Sequence, residues 1–88
     1  MDKRIIGEQL LEILAANRVK IRKEPMGGSG GGLCKLKEDN VFFWDTEANF
    51  TEAAISCGRA VLNIIEDLET IYLKPVVRDF LDKVRKMP

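Results

Sequence analysis

The sequence predicts an α+β fold: a small, mainly antiparallel sheet of three to four strands with three helices, in the order α-β-β-β-α-β-α. Three observations carry this expectation. Apolar residues recur at three- and four-residue steps near both ends of the chain and after Asn49, whereas between Val19 and Trp44 the period drops to two. The composition, 45% hydrophobic and 32% charged over 88 residues, is that of one ordinary globular domain, read as residues 1–88. The one low-complexity stretch, residues 26–32, falls between two strand-like runs and reads as a flexible glycine-rich loop inside that domain.

In chain order, Ile6, Leu10, Ile13 and Leu14 lie at helical spacing over residues 3–16, with Asp2 as N-cap and Asn17 suited to the left-handed position that ends a helix. Val19 and Ile21 then alternate with Arg18, Lys20 and Arg22, a strand with one apolar and one basic face that Pro25 closes. After the glycines, Leu33, Cys34 and Leu36 alternate with Lys35 and Lys37. Glu38, Asp39 and Asn40 form a turn, and Val41-Phe42-Phe43-Trp44 completes a hairpin. That second strand is apolar on both faces. Asn49 with Glu52 makes a capping box for a helix running to about Asp67, whose stripe of Ala53, Cys57, Ala60, Val61, Ile64 and Leu68 packs on the sheet. Residues 70–73 favour a short fourth strand. Pro75 starts a last helix with Val76, Val77, Phe80, Leu81 and Val84 on one face and Lys83, Arg85 and Lys86 near its C-terminus.

Composition excludes several function classes. The chain has no histidine, which removes the commonest general base, zinc ligand and neutral-pH switch together. Fourteen basic residues balance fourteen acidic ones, so the chain lacks the basic excess of a non-specific nucleic-acid binder. No apolar run approaches the ~20 residues that span a bilayer. The amphipathic start points to a cytoplasmic protein whose Cys34 and Cys57 stay reduced.

Each motif has a plainer reading beside it. Gly27-x-Ser29-x-Gly31 matches a nucleophile-elbow string, but a strand follows it and no histidine exists to activate Ser29. The spacing of Gly27 and Gly32 is that of a phosphate loop, yet Leu33-Cys34 stands where lysine and a hydroxyl residue must reach phosphate and magnesium. The dinucleotide fingerprint fails as well, since Leu33 replaces its third glycine after Gly28 and Gly30. What remains at Gly27, Gly28, Ser29, Gly30, Gly31 and Gly32 is a mobile connection or a generic anion nest of backbone amides. Cys57 reads as a small buried hydrophobe, and Cys34, beside the glycines, is the one candidate reactive thiol. The acidic groups Asp45/Glu47 and Glu66/Asp67/Glu69 lie at element boundaries and read as solvated charges rather than a metal site or acid–base pair. Asn49-Phe50-Thr51 matches a glycosylation sequon but is read as a helix cap.

The constellation that points to function lies on the sheet. Arg18, Lys20, Arg22, Lys35 and Lys37 project from the faces opposite the small apolar residues, and Phe42 and Trp44 share that outer surface. Aromatic rings between basic side chains are how some single-strand nucleic-acid readers stack bases. The alternative, favoured by the zero net charge, is that Phe42 and Trp44 form the seam of a symmetric dimer with the lysine and arginine stems over its rim.

The stretch Gly31-Gly32-Leu33-Cys34-Lys35-Leu36-Lys37, followed by Val41-Phe42-Phe43-Trp44-Asp45 and then by Ile71-Tyr72-Leu73-Lys74-Pro75-Val76-Val77-Arg78, resembles a family of small uncharacterised bacterial proteins with a glycine-leucine-cysteine strand and a terminal helix. This resemblance covers most of the chain and implies a native origin for the glycines; it implies no function. Phe50-Thr51-x-x-Ala54 faintly resembles the helix start of the zinc metallopeptidases that cleave phage repressors, without their His-Glu-x-x-His motif.

From the sequence, then, the expected protein is a non-enzymatic, self-associating interaction module. It uses no cofactor or metal, works as a homodimer with a further protein partner, and makes no membrane contact. A weak single-strand nucleic-acid binder is the first alternative, and a small-anion site at the glycines the second.

Overall fold

The computed structural model describes residues 2–87. In chain order it contains α1 (Lys3–Ala16), β1 (Lys20–Glu24), β2 (Gly32–Leu36), β3 (Asp39–Asp45), α2 (Phe50–Ile64), a 3₁₀ turn (Leu68–Thr70) and α3 (Pro75–Arg85).

Helix α1 starts where expected. The Asp2 carboxylate accepts the Ile5 N–H at 3.0 Å, satisfying one of the orphan donors of the first turn. Its end differs: Arg18, not Asn17, takes the left-handed conformation, at φ 66°. The Arg18 N–H donates to Ala15 O and the Val19 N–H to Leu14 O, a Schellman closure that lays Val19 against the buried Leu14. Asn17 instead donates its side-chain amide to Ile13 O at 2.8 Å.

The sheet is mixed, in the order β1-β3-β2. Strands β2 and β3 form the expected antiparallel hairpin, in the register Cys34↔Val41 and Leu36↔Asp39. Its turn is Lys37-Glu38, with Lys37 at φ 58°, one residue earlier than the polar run Glu38-Asp39-Asn40 suggests. Strand β1 pairs with β3 in parallel, Lys20↔Val41 through Glu24↔Asp45, so the expectation of antiparallel pairing fails for this strand. The reason is the connection: residues 25–31 carry the chain over the C-terminal end of β3 before β2 begins on its far side.

Helices α1 and α2 lie together against one face of the sheet, and α3 packs on the helices, not on the strands. Helix α2 is thus a middle layer. Its buried residues are small, Ala53, Ala54, Cys57, Gly58, Ala60 and Val61, and α3 brings Phe80, Leu81 and Val84 close over Gly58. The helix ends at Ile64, short of Asp67; Ile65 is extended, and it and Leu68 turn into the core. Residues 70–73 form no strand. Asp67 caps the 3₁₀ turn through the Glu69 N–H, and the segment leads directly to Pro75 at the start of α3. The order is therefore α-β-β-β-α-α with three sheet strands.

Candidate functional site

Side-chain alternation and the pairing register divide the sheet residues between two faces. Ile21, Leu33, Phe42 and Trp44 face the helices and belong to or pack on the core. The other face carries Lys20 and Arg22 from β1, Val41 and Phe43 from β3, and Gly32, Cys34 and Leu36 from β2. No described helix packs on it. Val41 and Phe43 lie outside the core cluster, yet Val41 is only 4% exposed, being enclosed by its neighbours on the open face. Leu36 is 49% exposed, and a groove of about 440 Å³ runs beside Val41 between Leu36 and Lys20.

The cations of this face are held within the chain. Lys20 Nζ lies 2.9 Å from Asp39 Oδ2, and Arg22 Nη2 lies 2.7 Å from Glu24 Oε2. The Arg22 guanidinium also stacks over the Phe43 ring, 5.8 Å from its centroid. What remains is an electrically compensated rim around Val41, Phe43, Cys34 and Leu36.

Phe42 and Trp44 were expected on the outer surface; both are in the core, 0% and 7% exposed. Since β3 is apolar on both faces, one pair of side chains had to face the helices, and Phe42 with Trp44 offers more apolar area to bury than Val41 with Phe43. The expected basic cluster is likewise dispersed. Lys20 and Arg22 are on the open face, Lys35 is on the helix side of edge strand β2, Lys37 is in the hairpin turn, and Arg18 is at the end of α1.

The glycine-rich loop is folded around a side chain. Asp45, fully buried at the end of β3, accepts N–H bonds from Met26 (2.9 Å) and Glu47 (2.9 Å) on Oδ1 and from Gly30 (3.1 Å) on Oδ2. Burial alone would push its carboxyl up, but the bonds from Glu47, Gly30, Met26 and Gly28 outweigh burial and hold it below the ordinary aspartate value. The Gly27 N–H donates to Glu47 Oε1 at 2.9 Å. Gly27, Gly28, Gly30 and Gly31 all have positive φ, and a Cβ on Gly31 would collide with the carbonyl of Phe43. An amide nest is therefore present, with the chain's own carboxylates in it. Ser29 Oγ makes only a long bond, 3.4 Å, to Met26 O, and Gly32 begins β2.

The remaining candidates take structural places. Cys57 is in the core, its thiol pushed up to about 12 by burial, whereas Cys34 is exposed on the open face. Glu69 pairs with Arg78 at 3.0 Å and Asp67 caps the 3₁₀ turn. Asn49 caps α2 through the Glu52 N–H at 2.8 Å. Among the described residues no group of three or more Cys, Asp or Glu side chains is placed to hold a metal ion, and no helix is long and apolar enough to cross a membrane.

Sequence reasoning missed Asp45 as the organiser of the loop. Its only signal is a lone acid ending an apolar strand, and the loop donors it collects, Met26 and Gly30, lie 19 and 15 residues earlier, with only Glu47 close by in sequence. It also missed Val41, Phe43 and Leu36 as the apolar set of the helix-free face, with Leu36 exposed, Phe43 half-buried and Val41 enclosed between them, because alternation states which residues share a face but not which face is covered. No family model, curated protein or solved structure matches the chain.

Proposed function

We propose that this protein is a non-enzymatic, self-associating interaction module whose contact surface is the helix-free face of its sheet. The observation that carries the reading is the compensated charge of that face. Lys20 and Arg22 are already paired with Asp39 and Glu24, so the face offers Val41, Phe43, Cys34 and Leu36 inside a neutral rim. Such a surface matches another protein's apolar side chains better than a polyphosphate, whose affinity comes largely from uncompensated cations. The small-anion alternative has the less room, because loop amides that could receive an anion already donate to Asp45 and Glu47.

A displayed peptide library selected against the protein tests the reading, with binding mapped by amide chemical shifts. Selected peptides should perturb Val41, Phe43 and Leu36, and Phe43→Glu should weaken them about tenfold or more. Peptides that map elsewhere overturn it. So does binding of single-stranded oligonucleotides that falls steeply with salt, which would instead assign the Arg22–Phe43 stack to nucleic acid.

A further inference from the structure

The two edges of the sheet differ in a way that bears on self-association. Edge strand β1 reads Lys-Ile-Arg-Lys-Glu and runs into Pro25; four of its five residues are charged. Charge and proline are the usual guards against pairing with another strand. Edge strand β2 reads Gly-Leu-Cys-Lys-Leu, with one charge in five residues and no proline. Its last three residues are exposed.

The hairpin determines which backbone groups β2 offers at that edge. Leu36 and Asp39 flank a two-residue turn and form its hydrogen-bonded closing pair, so Leu36, Cys34 and Gly32 direct their N–H and C=O groups at β3. The Thr46 N–H bond to Glu24 O, 3.0 Å, fits the same alternation on the other side of β3. Leu33 and Lys35 therefore point their backbone groups out of the sheet.

Building on the self-association proposed above, we infer that β2 pairs antiparallel with β2 of a second copy, Cys34 facing Cys34, to make one continuous six-stranded sheet. This register alone uses the edge fully. Leu33 opposes Lys35 of the second copy and Lys35 opposes Leu33, and each such pair exchanges both ladder bonds. Sliding it one way sets Lys35 against Lys35 and Leu33 against Lys37, which has left the strand at φ 58°. Sliding it the other way sets Lys35 against Gly31, also at positive φ. In the centred register the side chains fit as well. Leu36 of each copy meets Gly32 of the other, a position where an added Cβ would touch nothing within 4 Å, so the leucine has room. On the helix side the Lys35 stem lies along Leu33. The two Cys34 residues become a non-hydrogen-bonded pair with Cα atoms about 4.5 Å apart, at the near end of the ~4.4–6.8 Å range that a disulfide spans.

Amide exchange of the wild-type chain, followed from about 10 µM to about 1 mM, tests this directly. The Leu33 and Lys35 amides, open to solvent in a lone protomer, should slow by about tenfold or more as the dimer forms, while the β1 edge is unchanged. Diamide, taking up the two electrons and two protons released by two thiols, should trap the dimer through Cys34–Cys34, identified by peptide mapping. Lys35→Pro removes an outward N–H but no bond to β3, and should leave a folded monomer. A dimer that protects other amides, or a folded Lys35→Pro variant that still dimerises, overturns the edge assignment and leaves the self-associating module standing. A chain that stays monomeric throughout overturns both. The exchange data decide the question even where Lys35→Pro does not fold.

Discussion

Gly7 looks like a weak point in α1, because glycine inside a helix costs about 1 kcal/mol relative to alanine. Its reason is Trp44. The indole lies so close that a Cβ on Gly7 would stand 2.5 Å from Cη2, inside any normal contact, and the ring is too enclosed to swing away freely. Overpacking of this kind costs about 1–3 kcal/mol. Gly7→Ala should therefore destabilise the protein by up to about 2 kcal/mol in urea unfolding despite its better helix propensity, whereas a rise in the midpoint would mean that Trp44 can tilt. The glycine itself is plain in the sequence. Its contact is not, because Trp44 reaches it only after β3 has turned that face inward.

At the scale of elements, the loop over residues 25–31 and strand β3 act as one unit through Asp45. Composition alone suggested a mobile linker, and positive φ at four glycines is indeed what composition allows. The buried carboxylate selects one conformation from that freedom. Because the folded-state carboxyl is held below the ordinary value of about 3.9, its stabilisation is fully present above that pH and is lost as pH falls through the lowered folded value. The Met26, Gly30 and Glu47 amides should thus keep their exchange protection at neutral pH and lose it below about pH 4. Asp45→Asn should abolish this acid dependence and leave Gly30 weakly protected even at neutral pH, since the amide side chain offers one acceptor oxygen and sets an N–H₂ against a donor. Unaltered protection in the variant would show that the glycines hold the loop without help.

For the whole molecule, the question is how much surface a three-stranded sheet can offer. From the spacing of strands and the rise per residue, the open face covers about 240 Å² in projection. Even doubled for side-chain relief, this falls short of the ~800 Å² per partner of a standard stable interface. Joining two copies through β2 doubles the continuous face and removes an exposed strand edge, so self-association and partner binding support one another. A domain of this length buries a modest share of its surface alone, and association should be visible in its stability. Where the dimer is the folded species, the melting temperature should rise by about 4 °C for each tenfold increase in protein concentration; a melting temperature independent of concentration would mean that the protomer is stable by itself.

Periodicity and capping determined most of the elements: α1 from Asp2, the hairpin around its polar turn, α2 from Asn49 and α3 from Pro75 are all local events, settled by neighbours a few residues apart. The absence of histidine likewise sets limits on the chemistry from composition alone. Tertiary structure decided the rest. A strand that is apolar on both sides can lie either way by alternation alone, and only packing against the helix layer, which rewards burying the larger pair, sends Phe42 and Trp44 inward and leaves Val41 and Phe43 outside. The direction of β1 and the order of the glycine loop were decided in the same way, by partners distant in sequence: the neighbouring strand β3 and the carboxylate of Asp45 at its end.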